Sequence, residues 1–107
     1  MTGEEFDKIV DARIHKIKET LSIKAKEYRR NDNALHNFEA GAYISGKSPL
    51  VVLDGFLLKH IVSYNDMIND ISEGKLPTEA YVDEKLGDII NYFVLQEAQI
   101  KKLINEQ

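Results

Sequence analysis

Seven polar residues fall into two rows whose spacing could do chemistry. Lys59, Ser63, Asp66 and Asp70 recur at steps of four, three and four, and Glu84, Asp88 and Asn91 at steps of four and three. Steps of three and four keep side chains on one side of an α-helix, so each set is a polar stripe. Each stripe carries a like-charged pair, Asp66 with Asp70 and Glu84 with Asp88. On a wet helix such a pair costs roughly 0.2–0.5 kcal/mol. In a cleft it costs more unless a cation such as Mg²⁺ or a lysine balances it, so these four carboxylates are candidate Mg²⁺ ligands if the chain is an enzyme. Lys59 supplies a point charge for a phosphate, and His60 and Ser63 add hydrogen bonds. Asn91 offers donor and acceptor together, enough to read a base edge or a ribose. His36 and His60 invite a metal or acid–base reading, because histidine as a residue type changes charge near neutral pH, and His36-Asn37 reads better as a ligand contact or a local cap. Tyr28, Phe38 and Tyr92 are candidates to stack on a purine, although aromatics at helical spacing are more often core. Arg29-Arg30, beside the Asn37 segment, is either a second phosphate contact or a solvated turn.

The elements that must position these groups are helices. Thr2-Gly3-Glu4-Glu5 is a capping-box pattern, and Phe6, Val10, Ile14, Ile17, Leu21, Ala25 and Tyr28 continue as one apolar face. The first helix is therefore predicted from Thr2 to about Tyr28, ended by Arg29-Arg30-Asn31-Asp32-Asn33. A short helix is expected over 34–44, with Leu35, Phe38 and Ala42 inward and Gly46 as its stop. Ser48-Pro49 starts the second long helix, to about Ile71. Residues 72–77 form a loop, and Thr78 caps a last helix to about Leu103. The expected fold is all-α, an antiparallel helical bundle of three long helices plus one short helix, oligomeric, in a single domain spanning 1–107.

On the second long helix Leu50, Leu53, Leu57, Ile61, Tyr64, Ile68 and Ile71 make the main apolar face. Val52, Phe56, Leu58, Val62 and Met67 lie outside it. On the last helix Val82, Leu86, Ile89, Ile90, Phe93 and Ile100 oppose the Glu84–Asp88–Asn91 row. Helices this apolar are buried on several sides. The two polar rows are therefore expected to face a shared cleft, completed by a neighbouring subunit.

Composition closes off several classes. The 107 residues hold no cysteine, so there are no disulfides, thiolate metal sites or cysteine nucleophiles, as expected in a reducing cytoplasm. Fourteen basic against 18 acidic residues argue against a general nucleic-acid binder, which displays a basic stripe. With 43% hydrophobic residues and a net charge of −4, the chain is not disordered. No apolar run approaches the ~20 residues of a membrane helix, and the acidic N-terminus is unlike a secretory signal. No glycine-rich phosphate loop exists, and without cysteine or a His-x₃-His spacing a zinc site is not expected.

Lys24-Ala25-Lys26-Glu27-Tyr28, Asn37-Phe38, Lys59 and Asp88-Ile89-Ile90-Asn91-Tyr92 stand in an order that resembles small helical phage and prophage proteins of the nucleotide-modification-associated domain family. That group lies near the MazG-like all-α nucleoside triphosphate pyrophosphohydrolases. The resemblance spans roughly residues 24 to 95. It implies nucleotide ligands held by Lys24, Tyr28, His36, Asn37, Lys59, His60, Ser63, Asn91 and Tyr92, and a place in the host cytoplasm. MazG-like enzymes hold Mg²⁺ with two Glu-x-x-Glu/Asp pairs. Here Lys59, His60 and Ser63 stand at the first pair's place, and Lys85 stands three before Asp88 where a glutamate would be. Hydrolysis by that route needs clustered carboxylates.

Three functions are therefore weighed. The first is a nucleotide binder that sequesters a phosphate-bearing nucleotide or nucleotide-derived signal without turnover, as a phage would use against a host defence. The second is a Mg²⁺-dependent pyrophosphohydrolase using Asp66, Asp70, Glu84 and Asp88. The third is a structural or protein-binding bundle. The first is favoured, with the site expected between the second and last long helices.

Overall fold

In the computed structural model the backbone is described for residues 1–107, and side chains for all but residues 27 and 28. Four α-helices make up the fold: α1 (Gly3–Lys18), α2 (His36–Ser45), α3 (Pro49–Ser72) and α4 (Glu79–Asn105). No strand occurs among the described residues, only an isolated bridge between Arg30 and Asn33. None of the described helices is long and apolar enough to cross a membrane.

The helix starts follow local chemistry. Thr2 accepts from the Glu5 backbone N–H and Glu5 caps Thr2 in return. Ser48 Oγ accepts from Val51 N–H at 3.2 Å, ahead of Pro49. Thr78 Oγ1 accepts from Tyr81 N–H at 3.2 Å. Each cap satisfies one amide that the first helical turn leaves without a partner. Gly46 ends α2 with φ of +72°, a left-handed conformation that glycine adopts without a Cβ clash.

The first helix differs from the expectation. Regular α geometry stops at Lys18, and the chain continues as a π-turn (Glu19–Ile23) and a 3₁₀ turn (Lys24–Tyr28). In the π-turn the Lys24 N–H bonds back to Glu19 O, five residues away. The wider turn also brings side chains five apart together, and Lys24 Nζ lies 3.0 Å from Glu19 Oε1. Spacing alone could not show this, because steps of three and four fit both geometries over so short a stretch. After Tyr28, Asn31 and Asp32 take positive φ (53° and 59°) and reverse the chain. Asn33 then braces the turn, its Oδ1 accepting from Leu35 N–H at 3.0 Å and its Nδ2 donating to Glu39 at 2.6 Å.

Leu35, Leu53, Leu57 and Met67 are the buried hydrophobics, and Leu53 is fully enclosed. The α3–α4 pair holds most of this core. Gln96 Nε2 donates to Leu50 O, and further along His60 meets Asp88 and Tyr92, so the two helices run in opposite senses. The short helix α2 leans on α3, where the Phe38 and Phe56 rings meet edge-on at 6.4 Å. It is tied to α4 by Lys102 Nζ on Glu39 Oε1 at 2.8 Å. On α4, α1 is anchored at Asp83: Lys16 Nζ lies 2.7 Å from Oδ2, and Arg13 donates to the backbone carbonyl at 3.2 Å. Gly87 is buried beneath the Arg13 guanidinium, in a space a Cβ would fill. Residues 1–12 are all exposed, so α1 docks only by its second half.

Candidate functional site between the first turn region and the last helix

Two neighbouring hollows lie along α4, and both are walled on the far side by the α1 end and its π and 3₁₀ turns. The first, about 330 Å³, is lined by Glu84, Asp88 and Asn91 of the α4 row, with Gly87 and Asp83, and by Arg13, Lys16, Glu19 and Thr20. The second, about 640 Å³, is lined from the turns by Thr20, Leu21, Lys24, Ala25 and Arg29. Ala34, Asn37 and Phe38 close its α2 side, and Tyr92 and Leu95 its α4 side. Thr20 borders both, so the two hollows lie side by side, and together they are the trough of this face.

Their electrostatics differ. Four acids, Glu19, Asp83, Glu84 and Asp88, face Arg13 and Lys16 in the smaller hollow. The Lys16 hydrogen bond, helped by its charge and by that of Arg13, holds the Asp83 carboxyl below its ordinary value of 3.8. Glu19 is likewise held down, by its hydrogen bond and ion pair with Lys24. A hollow with this acid excess suits hydroxyls or cations and repels phosphate. The larger cavity has two cations, Lys24 and Arg29, and no acid among its described lining residues. Its described walls are otherwise apolar and aromatic, with the Asn37 amide and the Thr20 hydroxyl, the usual make-up of a small-molecule site.

Beside the hollows, α4 meets α3 through His60. His60 Nδ1 is 3.5 Å from Asp88 Oδ2, and its ring lies on Tyr92 with centroids 4.9 Å apart. Burial, and then the Asp88 charge, raise the Tyr92 hydroxyl above its ordinary 10.0, so it remains a proton donor at neutral pH. The Asn91 Oδ1 and the Arg29 Nε are buried without a hydrogen-bond partner among the described residues. Arg29 Nη2 is already used, donating to Leu21 O at 3.1 Å.

Of the residues singled out from sequence, Lys24, Asn37 and Tyr92 share the larger cavity, Glu84, Asp88 and Asn91 line the smaller hollow, and His60 touches their members. The structure does not gather the rest. Lys59 and Asp66 are exposed, and neither they nor Ser63 line either hollow. His36, at the start of α2, lines neither hollow. Asp70 borders a separate depression with Met67, Leu76 and Tyr81 near the α3–α4 loop. The Tyr28 side chain lies outside the described residues.

Two expectations are corrected by this geometry. The α4 row looks across to α1 rather than to the polar row of α3, because α1 docks on the Asp83–Gly87 side of α4. The proposed Mg²⁺ set of Asp66, Asp70, Glu84 and Asp88 does not converge, and among the described residues no three His, Asp or Glu side chains gather around a common point. These residues therefore do not fit a divalent-metal centre within one chain.

Sequence reasoning passed over Arg13, Lys16 and Thr20. Arg13 carried a signal: it falls between Val10 and Ile17 on the apolar stripe of α1, and a cation there needs a partner on the facing helix. Gly87, within an apolar run of α4, marks where the guanidinium fits. Compared with protein families, characterised proteins and solved structures, the chain matches none, so the functional reading stands on this trough alone.

Proposed function

We propose that the protein binds a phosphate-bearing nucleotide or nucleotide-derived small molecule in this trough and holds it without turnover. One observation carries the reading: a cavity of about 640 Å³ in which Lys24 and Arg29, with no acid among the described lining residues, share walls with Phe38, Tyr92 and Asn37. Lys24 and the Arg29 Nε, which has no partner among the described residues, take the phosphate oxygens, by point charge and by directed N–H respectively. Phe38 and Tyr92 give apolar area to a base, and the Asn37 amide reads its polar edge. The acidic hollow beyond Thr20 receives sugar hydroxyls, with Asn91 Oδ1 as a waiting acceptor. The same reading takes the four helices as an antiparallel bundle, assembled as an oligomer in the cytoplasm of a phage-infected host, where such a protein removes a nucleotide signal of host defence. The scattered Asp66, Asp70, Glu84 and Asp88 favour binding over Mg²⁺-dependent pyrophosphate release.

The test is a thermal-shift and calorimetric screen of nucleoside mono-, di- and triphosphates, cyclic nucleotides and ADP-ribose-type molecules, with and without Mg²⁺, followed by product analysis. A ligand at ~100 times its Kd adds roughly 2.7 kcal/mol of stability, and recovery of that ligand unchanged is expected. Lys24→Ala should weaken binding by roughly 10- to 100-fold, the worth of a charge-assisted hydrogen bond. Chelator-sensitive pyrophosphate release would replace this reading with the hydrolase. No binding by any member, with Lys24→Ala and Asn37→Ala both silent, would leave the interaction bundle.

A further inference from the structure

We infer, resting on the nucleotide-binding reading above, that the trough accepts a ligand carrying a single phosphate group, and that Glu19 sets this limit by standing against Lys24 where the two hollows adjoin. The supply of positive charge is small. Lys24 and Arg29 are the cations that line the larger cavity. Arg29 spends Nη2 on Leu21 O at 3.1 Å, and its Nε has no partner among the described residues. Lys24 Nζ already lies 3.0 Å from Glu19 Oε1. Lys26 and Arg30, the other cations of this stretch, are exposed and line neither hollow. A phosphate monoester carries about −1.5 to −2 charges at pH 7, which Lys24 and Arg29 together match.

Beyond Lys24 the sign of the charge turns. Glu19 lines the smaller hollow with Asp83, Glu84 and Asp88, against Arg13 and Lys16. Both of those bases are engaged with Asp83, Lys16 Nζ at 2.7 Å and Arg13 Nη2 at 3.9 Å. A second phosphate placed past Lys24 therefore meets carboxylates, and no cation among the described lining residues is left to balance it. A phosphate that turns into water instead gains no protein contact, and within a Debye length of roughly 8 Å it still feels these acids. Like charge set against the wrong ligand is a source of specificity.

The π-turn builds this arrangement. In a regular α-helix residues five apart stand about 140° from one another around the axis. The wider turn over Glu19–Ile23 instead brings Glu19 and Lys24 together, the acid lining the smaller hollow and the base the larger. Glu19 is therefore a specificity-determining residue. It competes with any phosphate for Lys24, and it repels the phosphates that follow.

Calorimetry in low salt with chelator, so that no divalent ion screens the phosphates, reads the limit as ratios of Kd. The probes are the 5′-mono-, di- and triphosphates of adenosine, guanosine, cytidine and uridine, with the 3′,5′-cyclic monophosphates to separate a phosphate monoester from a diester. Affinity should fall by about fivefold with each phosphate added to the same nucleoside. Glu19→Gln should tighten monophosphate binding by roughly 2- to 5-fold, the worth of an exposed ion pair, and triphosphate binding by more. The gap between the two ligands should shrink by at least about threefold. If Glu19→Gln fails to fold, Glu84→Gln, on the regular helix α4, should narrow the gap in the same sense. Glu97→Gln removes the same charge at an exposed position lining neither hollow and should leave the gap unchanged. A triphosphate bound as tightly as its monophosphate, or a gap that Glu97→Gln moves as much as the trough variants do, would overturn the limit and leave the nucleotide site standing. No binding by any probe would overturn the limit together with the reading beneath it.

Discussion

Replacing Gly87 with alanine tests how α1 is held against the trough. A Cβ built on Gly87 would lie 2.6 Å from Arg13 Nη1, well inside contact distance. Removing a glycine from a helix interior gains ~1 kcal/mol in propensity, because the unfolded chain loses freedom. Against this, the guanidinium must swing aside and lose its 3.2 Å bond to Asp83 O and its 3.9 Å approach to Asp83 Oδ1. Arg13 keeps about a fifth of its side chain in solvent and can rehydrate, so the loss falls below the ~1.5–3 kcal/mol of a charged hydrogen bond, at about 1 kcal/mol. The two terms nearly cancel, and Gly87→Ala should change stability by less than ~0.5 kcal/mol in the wild-type background. In an Arg13→Ala background only the propensity gain remains, and the same substitution should stabilise by ~1 kcal/mol. The coupling of ~1 kcal/mol exceeds the ~0.3–0.5 kcal/mol scatter expected of independent sites. Urea denaturation of the four proteins reads it, at one fixed chain concentration because association shifts apparent stability. An equal gain in both backgrounds would refute the seating of Arg13 on Gly87, and with it the wall of the smaller hollow.

Leu53→Ala removes a fully enclosed side chain and should cost about 2–5 kcal/mol in urea denaturation; a loss below 1 kcal/mol would contradict its burial. Thr78→Ala should cost ~1 kcal/mol by stranding the Tyr81 N–H at the start of α4, measured the same way. The Glu39–Lys102 contact should make stability pH-dependent at both ends. Hydrogen bonds from Lys102 and then Asn33 lower Glu39 below 4.5, so its contribution is present above 4.5 and lost as acid carries the pH through the lowered value. Glu39 raises Lys102 above 10.5, so that part is present below 10.5 and lost as alkali passes the raised value. Glu39→Gln should flatten both limbs of a plot of urea midpoint against pH.

The helices were legible in the chain because their signals are local. Thr2, Ser48-Pro49, Thr78 and Gly46 satisfy or end the first and last turns with groups only a few residues away, and the structure keeps each of them. The grouping of Glu84, Asp88 and Asn91 on one side of α4 was equally local, since helical periodicity alone decides it. Lys24, Asn37 and Tyr92 were named from the order of short motifs and do meet in one cavity. Which helix each polar row faces was not legible, because a stripe of carboxylates looks the same whether α3 or α1 lies opposite. That choice rests on contacts about 70 residues apart in sequence, Arg13 and Lys16 on Asp83 with the space above Gly87. Asp66 and Asp70 lost their assigned company because they lie exposed on α3, on a different side of that helix from the buried Leu53, Leu57 and Met67. Periodicity is a property of one helix, whereas a site is a property of the pair that packs, and only the folded chain supplies the second member.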